Sequence, residues 1–446
     1  MPPITEHSNV LFGWDPLWLS TIIFVATYAL IVSEKVNRAV IALLGASLMI
    51  SLGILTQQAA IRGVDFNTIG LLTGMMVIVS ITQKCGVFQY VAVWSAKKVN
   101  ASPWGILVMF SLVTAVFSAL LDNVTTVLLI APITLLITSE LKINPYPFLF
   151  VVIFSSNIGG TATLIGDPPN IMIGSAAHLN FNDFLLNLAP ITPVILLATL
   201  FVIYFVWGRS MTAAKEDRER VMHFQERQAI TDIPLLKKSL SVLALVIIGF
   251  MSAHSLGLEP ATIAMFGAAL LLLVVNLGKS SEQQTENVEK TLADVEWITI
   301  FFFVGLFIVV TGIEHTGLLD ILAQKVLALT EGDMATTAIT ILWISAIASA
   351  LVDNIPFVAT MIPMIEAMAP TFGSEDALLP LWWSLALGAC LGGNGSLIGA
   401  SANLIVAGFA ERTGHRIRFL HFMAMAFPLM LMSIVIATIY VQLRFL

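Results

Sequence analysis

The sequence predicts an all-α polytopic membrane protein made of two inverted-topology repeats, each with five transmembrane helices and one re-entrant hairpin. Three observations support this fold class. Only 11% of the 446 residues are charged whereas 58% are hydrophobic, and the mean hydropathy is +0.93. The two halves of the chain share the same motifs, and the basic residues fall mostly on one side of the membrane. We expect about 10 transmembrane helices and 2 hairpins, with two unwound helices at the membrane midplane.

The composition excludes a soluble protein, because a chain of this length could not keep so much apolar surface out of water. The first sixteen residues contain Glu6 and Asp15 but no Lys or Arg. They lack the basic region of a cleavable signal, so we expect the first apolar run to remain as a membrane helix. The two cysteines, Cys85 and Cys390, are far apart in the sequence, and a disulfide framework is not expected.

The internal repeat is visible in three pairs of similar segments. They are 64–93 with 295–324, 120–133 with 351–364 and, after a slip of two residues, 159–170 with 392–403. The alignment matches Gly74 to Gly305, Gly86 to Gly317, Asp122 to Asp353, Asn123 to Asn354 and Pro132 to Pro363. Repeated apolar halves interrupted by Asp-Asn pairs and glycine-rich breaks are typical of a secondary transporter whose site lies between the halves.

Apolar runs of about twenty residues divide the chain into a first repeat at 1–208, a charged connector at 209–238 and a second repeat at 239–446. In the first repeat we expect helices within 17–83, an amphipathic stretch at 86–99, a re-entrant hairpin at 104–139, a broken helix at 146–175 and a helix at 190–207. In the second repeat we expect helices within 239–313, an amphipathic stretch at 317–330, a hairpin at 337–369, a broken helix at 379–410 and a helix at 421–443.

Charge placement predicts the topology. With both termini outside, 18 of the 21 Lys and Arg residues lie inside, and only Arg62, Lys325 and Arg444 lie outside. Each half then crosses the membrane an odd number of times, so the repeats are inverted. The expected location is the inner cell membrane, with the connector in the cytoplasm. The connector alternates acids and bases from Lys215 to Arg220. This pattern favours a solvated linker over a regulatory or partner-docking segment, and it does not resemble a nucleic-acid patch.

Asp122 and Asp353 are the first candidate site residues. Each lies in the middle of an apolar run, where a carboxylate costs several kcal/mol unless it is protonated, paired or facing water. Each also stands where a helix could restart, so the alternative role is an N-cap, worth roughly 1 kcal/mol. Pro356 near the start of the helix after Asp353 supports a cap. The two roles are compatible, because a hairpin tip brings helix N-termini and a carboxylate to the same place.

Two glycine-rich breaks form the second candidate feature. In the first break, Gly159-Gly160 is followed by the hydroxyls of Thr161 and Thr163, and then by Asp167-Pro168-Pro169, which lacks two backbone donors. Unwound backbone inside a bilayer is tolerated only where it lines a cavity or is buried by protein. The freed carbonyls and hydroxyls are therefore candidate ligands for a hard cation or a small polar solute. Close helix packing is the alternative explanation for the glycines.

The charges in the predicted membrane segments limit the class of solute. In the predicted membrane core of these segments we expect Asp122, Asp167 and Asp353 but no Lys or Arg. A dianion or trianion would meet carboxylates there, with only helix dipoles and amides for attraction. We therefore expect a cation, or a neutral polar molecule exchanged for protons or sodium. Cys390 is a weaker candidate contact for a soft ligand such as As(III), since a buried cysteine more often serves packing.

Two motifs carry a family resemblance. LLDNVTTVLLIAPITLL from Leu120 and SNIGGTATLIGDPPNIMIGSA from Ser156 resemble the ion-transporter superfamily, most closely its arsenite-permease and P-protein branch. The NhaD-type sodium/proton antiporters are similar at Asp-Asn-x-Thr-Thr but differ at the Pro-Pro-Asn of the unwound helix. The dicarboxylate/sodium symporters of the superfamily carry Ser-Asn-Thr at both hairpin tips, where this chain has Asp-Asn-Val and Asp-Asn-Ile.

The resemblance implies a scaffold domain from the first three helices of each half, and a transport domain from the hairpins and broken helices. It implies a site lined by one set of side chains from the first half and another from the second. They are Asn123, Thr125, Thr126, Asn157, Thr161, Thr163, Asp167 and Asn170, together with Asn354, Asn394, Ser396 and Asn403. A sodium ion, where sodium is the coupling ion, would lie near Asn123, Thr161, Asn354 and Asn394.

Bacterial members of the branch are commonly assigned arsenite and antimonite efflux. Our first hypothesis is therefore efflux of these neutral trihydroxides in exchange for protons by alternating access. A soluble ATPase subunit on the cytoplasmic side is a candidate partner, and neither a cofactor beyond the coupling H⁺ or Na⁺ nor a catalytic residue is expected. The alternatives are NhaD-type sodium/proton antiport, sodium-coupled anion transport and a passive channel. An intramembrane aspartyl protease would need two aspartates close enough to share a proton.

Overall fold

The computed structural model describes residue 10 and residues 13–33, 35–374 and 376–446, and these residues form helices and no strand. The helices of the first half and connector are α1 Pro16–Ser33, α2 Arg38–Ser51, α3 Gln57–Arg62, α4 Phe66–Gln83, α5 Val87–Lys98, α6 Pro103–Leu120, α7 Asn123–Glu140, α8 Tyr146–Gly160, α9 Pro168–Ala176, α10 Phe181–Asn187, α11 Thr192–Val206 and α12 Lys215–Met222. Those of the second half are α13 Ile233–Leu256, α14 Pro260–Asn276, α15 Ser281–Ala293, α16 Trp297–His315, α17 Leu318–Leu329, α18 Met334–Leu351, α19 Asn354–Glu366, α20 Ala369–Phe372, α21 Leu379–Gly392, α22 Ser401–Arg412 and α23 Phe419–Arg444.

The chain is a multi-pass membrane protein. Within the described residues nine helices are long and apolar enough to cross a membrane, or ten if α10 and α11, bent by 49°, form one span. The total is close to the ten spans predicted, but it includes α6, α7 and α18, which were predicted to form parts of the hairpins. Both Asp-Asn runs break into two helices, α6 with α7 and α18 with α19. The re-entrant path of these pairs remains a prediction, as does the division into two repeats and a connector.

The two halves pack through matched contacts. The matched glycines Gly74 in α4 and Gly305 in α16 each lie against the backbone of a helix from the other half. A Cβ at Gly74 would come within 2.6 Å of the carbonyl carbon of Ala264 in α14, and one at Gly305 within 2.6 Å of that of Ala42 in α2. The other matched pair, Gly86 and Gly317, begins α5 and α17 with positive φ angles of 78° and 82°.

The directions of these helices are those that inverted repeats require. Helix α2 runs parallel to α16, because Gly305 faces Ala42 and Gly312 faces Met49. Helix α16 begins beside the end of α4, where Lys84 and Asp294 form an ion pair of 2.9 Å. We call the side that contains this ion pair the connector side. Helix α2 therefore begins on the connector side, whereas its counterpart α14 begins at the other end of α4.

The connector is largely exposed, as the sequence predicted, and it also binds to the ends of several helices. The backbone N–H of Thr231 donates to the carbonyl oxygen of Cys85 at 3.1 Å, and its hydroxyl donates to the carbonyl oxygen of Lys84 at 2.9 Å. Lys97 forms a 2.6 Å ion pair with Glu226, and its ammonium group holds the pKa of the Glu226 carboxyl below the usual value. Arg220 contacts Glu140 at the end of α7. Residues of the connector therefore contact the ends of α4, α5 and α7 on the connector side.

Local signals account for other boundaries. Helix α2 ends at Ser51, because Gly53 takes a left-handed φ of 79° that ends the helix. The polar helix α15 was not predicted; Ser280 and Gln283 form a capping box at its start. The two cysteines, Cys85 and Cys390, are buried and free.

Replacing Gly74 with alanine should weaken the contact between the halves, since the new Cβ would press on the backbone of Ala264. Overpacking of this kind costs about 1–3 kcal/mol, and we expect a lower apparent Tm of the purified protein in detergent. Gly408→Ala is the matched control, because Gly408 is also helical and nothing lies within 4 Å of its added Cβ. An unchanged Tm for Gly74→Ala would contradict the close packing of α4 on α14.

Candidate functional site

The predicted site residues come together between the two halves. All of the fourteen predicted residues except Thr125 are buried, and hydrogen bonds connect residues of the first half to residues of the second. They lie at the starts of α7 and α19, in the segments 161–167 and 393–400 between helices, or in the adjoining turns of α8, α9 and α22. The sequence therefore identified a set of side chains that the fold gathers in one place, although their role in binding remains a prediction.

Two matched asparagines hold the unwound segments. The Nδ2 of Asn170 lies 3.3, 3.2 and 2.9 Å from the carbonyl oxygens of Gly160, Thr161 and Thr163. Asn403, its counterpart, donates to the carbonyls of Gly393 and Ser396 at 2.7 and 2.8 Å. These carbonyls were predicted as solute ligands. In the structure they accept hydrogen bonds from amide donors, which explains how unwound backbone is tolerated there. Their role as solute ligands remains a prediction.

The hydroxyls of the breaks also bond to backbone. Thr163 donates to Ala119 at 2.5 Å, and Ser396 makes the matched bond to Ala350 at 2.6 Å. Thr161 donates to Asn157 within its own helix at 2.8 Å. The glycines at the same level pack closely, since a Cβ at Gly159 would collide with Ala115. Both explanations of the glycine-rich breaks, unwinding and close packing, therefore apply.

A chain of four asparagine amides crosses the interface between the halves. Asn157 Nδ2 donates to Asn403 Oδ1 and to Asn394 Oδ1, each at 3.0 Å, and Asn157 Oδ1 accepts from Asn123 Nδ2 at 3.2 Å. The direction of the chain is fixed at one end. Asn403 must turn its Nδ2 toward two carbonyls, so its Oδ1 can only accept, and this sets the orientation of Asn157 and then of Asn123 and Asn394.

This fixed direction leaves defined polar atoms without partners. Within the described part of the chain, Asn123 Oδ1, Asn394 Nδ2 and Thr126 Oγ1 are buried and make no hydrogen bond. One is an acceptor, one is a donor and the hydroxyl can be either. Buried polar atoms in proteins almost always have a partner. Two of these atoms belong to the amide chain, and Thr126 follows Asn123 by one turn of α7. We therefore treat them as candidate contacts for a polar ligand.

Asp122 acts as the predicted N-cap. It precedes α7 and accepts from the amide and the hydroxyl of Thr125 at 2.7 and 2.5 Å. Asp353 caps α19 in the same way, through the amide of Ile355 at 3.0 Å. The two carboxylates make no hydrogen bond to each other in the described structure, so they do not form the dyad that an aspartyl protease would need.

Asp353 has a basic partner that the sequence did not predict. Arg38 Nη1 lies 3.0 Å from Asp353 Oδ2 and donates to Ser401 Oγ at 2.5 Å, and Ser401 donates in turn to Asp353 Oδ2 at 2.8 Å. The expectation that only carboxylates reach the site is therefore wrong. One signal was available: a cation in the first turn of a helix opposes the helix dipole, so Arg38 at the start of α2 suggested a partner elsewhere.

Asp167 is the least compensated of the three carboxylates. It is fully buried, and it makes no capping hydrogen bond at the start of α9. Asn354 Nδ2 lies 3.3 and 3.4 Å from its two oxygens. Cys390 Sγ donates to Asn170 Oδ1 at 3.4 Å and also interacts with the carboxylate of Asp167. No basic side chain forms an ion pair with Asp122 or Asp167 among the residues that the structure describes.

Further acidic groups surround the site. Asp167 interacts electrostatically with Asp122 and Asp353. Glu296, at the start of α16, interacts with both Asp122 and Arg38. The described chain contains no group of three or more His, Cys, Asp or Glu residues arranged to hold a metal ion. Neither Glu296 nor Ser401 was predicted, because only the packing of distant helices brings them to the hairpin tips.

Comparison with known proteins identifies the family. Residues 28–388 match a family model described as citrate transporter. An uncharacterized transporter of Mycobacterium tuberculosis (strain ATCC 25618 / H37Rv) is 43% identical over 427 residues, which cover 95% of this chain and 97% of that protein. The human P protein is 31% identical over 505 residues, covering 95% of this chain but 59% of the P protein. The predicted resemblance to the ion-transporter superfamily is confirmed.

Solved structures support the same fold. The Alcanivorax borkumensis YdaH transporter aligns over 96% of this chain and 98% of its own, with a TM-score of 0.56 and 14% identity. MtrF of Neisseria gonorrhoeae, described within a class of antimetabolite efflux pumps, aligns over 98% and 96%, with a TM-score of 0.58 and 10% identity. The chain therefore belongs to the citrate transporter family and is a multi-pass secondary transporter.

Proposed function

We propose that this transporter exports arsenite and antimonite as neutral trihydroxides in exchange for protons, from a cytoplasm that faces the connector side. The observation that carries the proposal is the set of partnerless polar atoms on Asn123, Thr126 and Asn394. A trihydroxide has three O–H groups, each able to donate and to accept a hydrogen bond. It can therefore satisfy a free acceptor, a free donor and a hydroxyl at once, without any counter-charge.

The charges support a solute that is not an anion. Asp122 and Asp167 have no basic partner in the described structure, and Arg38 is engaged by Asp353. Citrate, which the description of the family names, is a trianion at neutral pH. It would meet this acidic cluster without a free cation, and the burial of uncompensated charge is strongly unfavourable. Free citrate is therefore a less suitable solute for this site than a neutral one.

Sodium/proton antiport is the second candidate, because one observation favours it. Three buried carboxylates face a single arginine, and this excess of negative charge suits a cation. Asn123 Oδ1 and Thr126 Oγ1 would then be oxygen ligands. The partnerless donor Asn394 Nδ2 argues for the trihydroxide instead, since an N–H donor cannot bind a cation. The same carboxylates would carry the exchanged proton in either case.

Arsenite accumulation in everted vesicles, with and without an acid lumen, tests the proposal. The decisive variant is Thr126→Val, which loses no internal hydrogen bond because Thr126 Oγ1 has no partner in the described chain. One lost solute hydrogen bond of about 0.5–1.5 kcal/mol should lower kcat/KM for arsenite roughly threefold to tenfold. Thr138→Val is the control on the same helix, because Thr138 bonds only to the backbone of α7.

The outcomes separate the candidates. Gradient-dependent arsenite accumulation that falls in Thr126→Val and not in Thr138→Val supports the proposal. If wild-type vesicles accumulate no arsenite while sodium collapses the pH gradient, the protein is a sodium/proton antiporter. Accumulation of citrate without arsenite would show that the charge argument is wrong.

A further inference from the structure

A cavity on the connector side leads to the hairpin aspartate of the second half. Its volume is about 350 Å³, and its wall includes the exposed residues Lys35 and Asn37 and the buried residues Asp353 and Ser401. One water molecule occupies about 30 Å³ in the liquid, so the cavity is large enough for a small hydrated solute. Its exposed wall lies at the start of α2 and its buried wall lies at the starts of α19 and α22.

Arg38 joins these walls. Its guanidinium bonds to Asp353 at 3.0 Å and to Ser401 at 2.5 Å, and it lies 4.9 Å from the centre of the Phe302 ring in α16. The arginine belongs to the first half, whereas both of its hydrogen-bond partners belong to the second. Its side chain is 27% exposed and that of Asp353 is 10% exposed. The ion pair thus lies where the solvent-exposed part of the cavity meets the buried part.

The repeat shows that this contact is not a general requirement of the fold. Asp122 occupies the matched position in the first half, yet its carboxylate accepts from Thr125 and has no basic partner in the described structure. Helix α14, the counterpart of α2, begins with Pro260 where α2 begins with Arg38. The position matched to Ser401 is Pro168. The stability of a hairpin tip therefore does not need the triad, and only one of the two tips has it.

We infer that Arg38, Asp353 and Ser401 form a gate that closes the connector-side entrance. In the closed gate the guanidinium of Arg38 is paired with the carboxylate of Asp353. Passage through the cavity then requires Arg38 to separate from Asp353. In this role Asp353 holds the gate, while Asp122 and Asp167 remain available for the exchanged ion. The inference concerns the route and does not depend on which solute is carried.

Cysteine accessibility tests the gate directly. Leu404 lines the cavity, and the native cysteines are buried, so Leu404→Cys provides a single reporter for a membrane-impermeant maleimide applied to everted vesicles. Adding Arg38→Gln should raise the labelling rate about tenfold, which corresponds to about 1.4 kcal/mol lost from the closed state. Ser401→Ala should raise the rate in the same direction. The exchange of charges in Arg38→Asp with Asp353→Arg should restore slow labelling.

Lys35→Gln is the matched control, because it removes a positive charge from the same cavity wall outside the triad. Its labelling rate should stay within about twofold of the parent, since an exposed charge contributes little to a closed contact. Equal labelling of the parent, Arg38→Gln and Ser401→Ala, each monodisperse on size exclusion, would overturn the inference. So would equal acceleration by Lys35→Gln. Because the readout is labelling, failure of the arsenite assay would leave this result unaffected.

Discussion

Replacing Asn157 with aspartate is expected to reduce transport by about 100-fold at neutral pH, even though the side chain keeps its size. Asn157 donates to Asn394 and to Asn403. A carboxylate cannot donate, so its oxygen would face two acceptor oxygens in a buried site. Each buried group left without a partner costs about 1–3 kcal/mol, and two such groups account for a loss of this order.

The pH dependence distinguishes this cause from simple misfolding. A protonated carboxyl group carries one O–H donor, so Asn157→Asp should regain part of its transport as the pH is lowered, whereas Asn157→Leu should not. Initial rates of solute counterflow at several pH values measure this difference. Ser156→Ala is the control, since the neighbouring Ser156 hydroxyl bonds only to Ile153 of its own helix. Equal activity of Asn157→Asp and wild type would show that the direction of the amide chain does not matter.

The parts of this protein that could be predicted are those with local signals. Asp122 and Asp353 were expected as caps because each precedes a helix start in an otherwise apolar run, and both cap. Gly86 and Gly317 repeat because each begins a helix from a left-handed turn that favours glycine. Such requirements act over a few residues, so they leave a pattern in the sequence that can be recognised without knowledge of the fold.

The contacts that could not be predicted join distant parts of the chain. Arg38 and Asp353 are 315 residues apart, and only the packing of α2 on α16 brings the arginine to the hairpin. The direction of the amide chain could not be predicted either. It depends on the two carbonyl groups that accept from Asn403, and these are accessible only because the helix is interrupted there. The contacts of the connector with the helix ends could not be predicted for the same reason, since they too join distant parts of the chain. From the sequence alone, its alternating charges are as consistent with free exposure to solvent as with ion pairs. Only the structure shows their partners on α5 and α7.

Replacing Asp167 with asparagine is expected to abolish solute accumulation driven by a proton gradient while leaving solute exchange active. Of the three carboxylates, Asp122 is stabilised by Thr125 and Asp353 by Arg38. Asp167 meets the thiol of Cys390 and the amide of Asn354, but it makes no capping hydrogen bond and has no basic partner in the described structure. A buried carboxylate with so little compensation costs several kcal/mol in its charged form. It therefore gains most from taking up a proton or a cation during the transport cycle. An asparagine side chain can neither take up a proton nor neutralise the charge of a cation.

Two assays on the same reconstituted vesicles separate coupling from binding. Gradient-driven arsenite accumulation should fall to the level of empty vesicles in Asp167→Asn. Arsenite counterflow should stay within about threefold of wild type, because Asn354 can still donate to the amide oxygen of the replacement. Asp333→Asn is the control, since Asp333 is an exposed cap at the start of α18. If Asp167→Asn still accumulates arsenite, the coupling proton binds elsewhere, and Asp122 is then the next carboxylate to replace. If both assays fail together in a well-folded variant, Asp167 contacts the solute itself, because a residue that only carries the proton would leave counterflow intact.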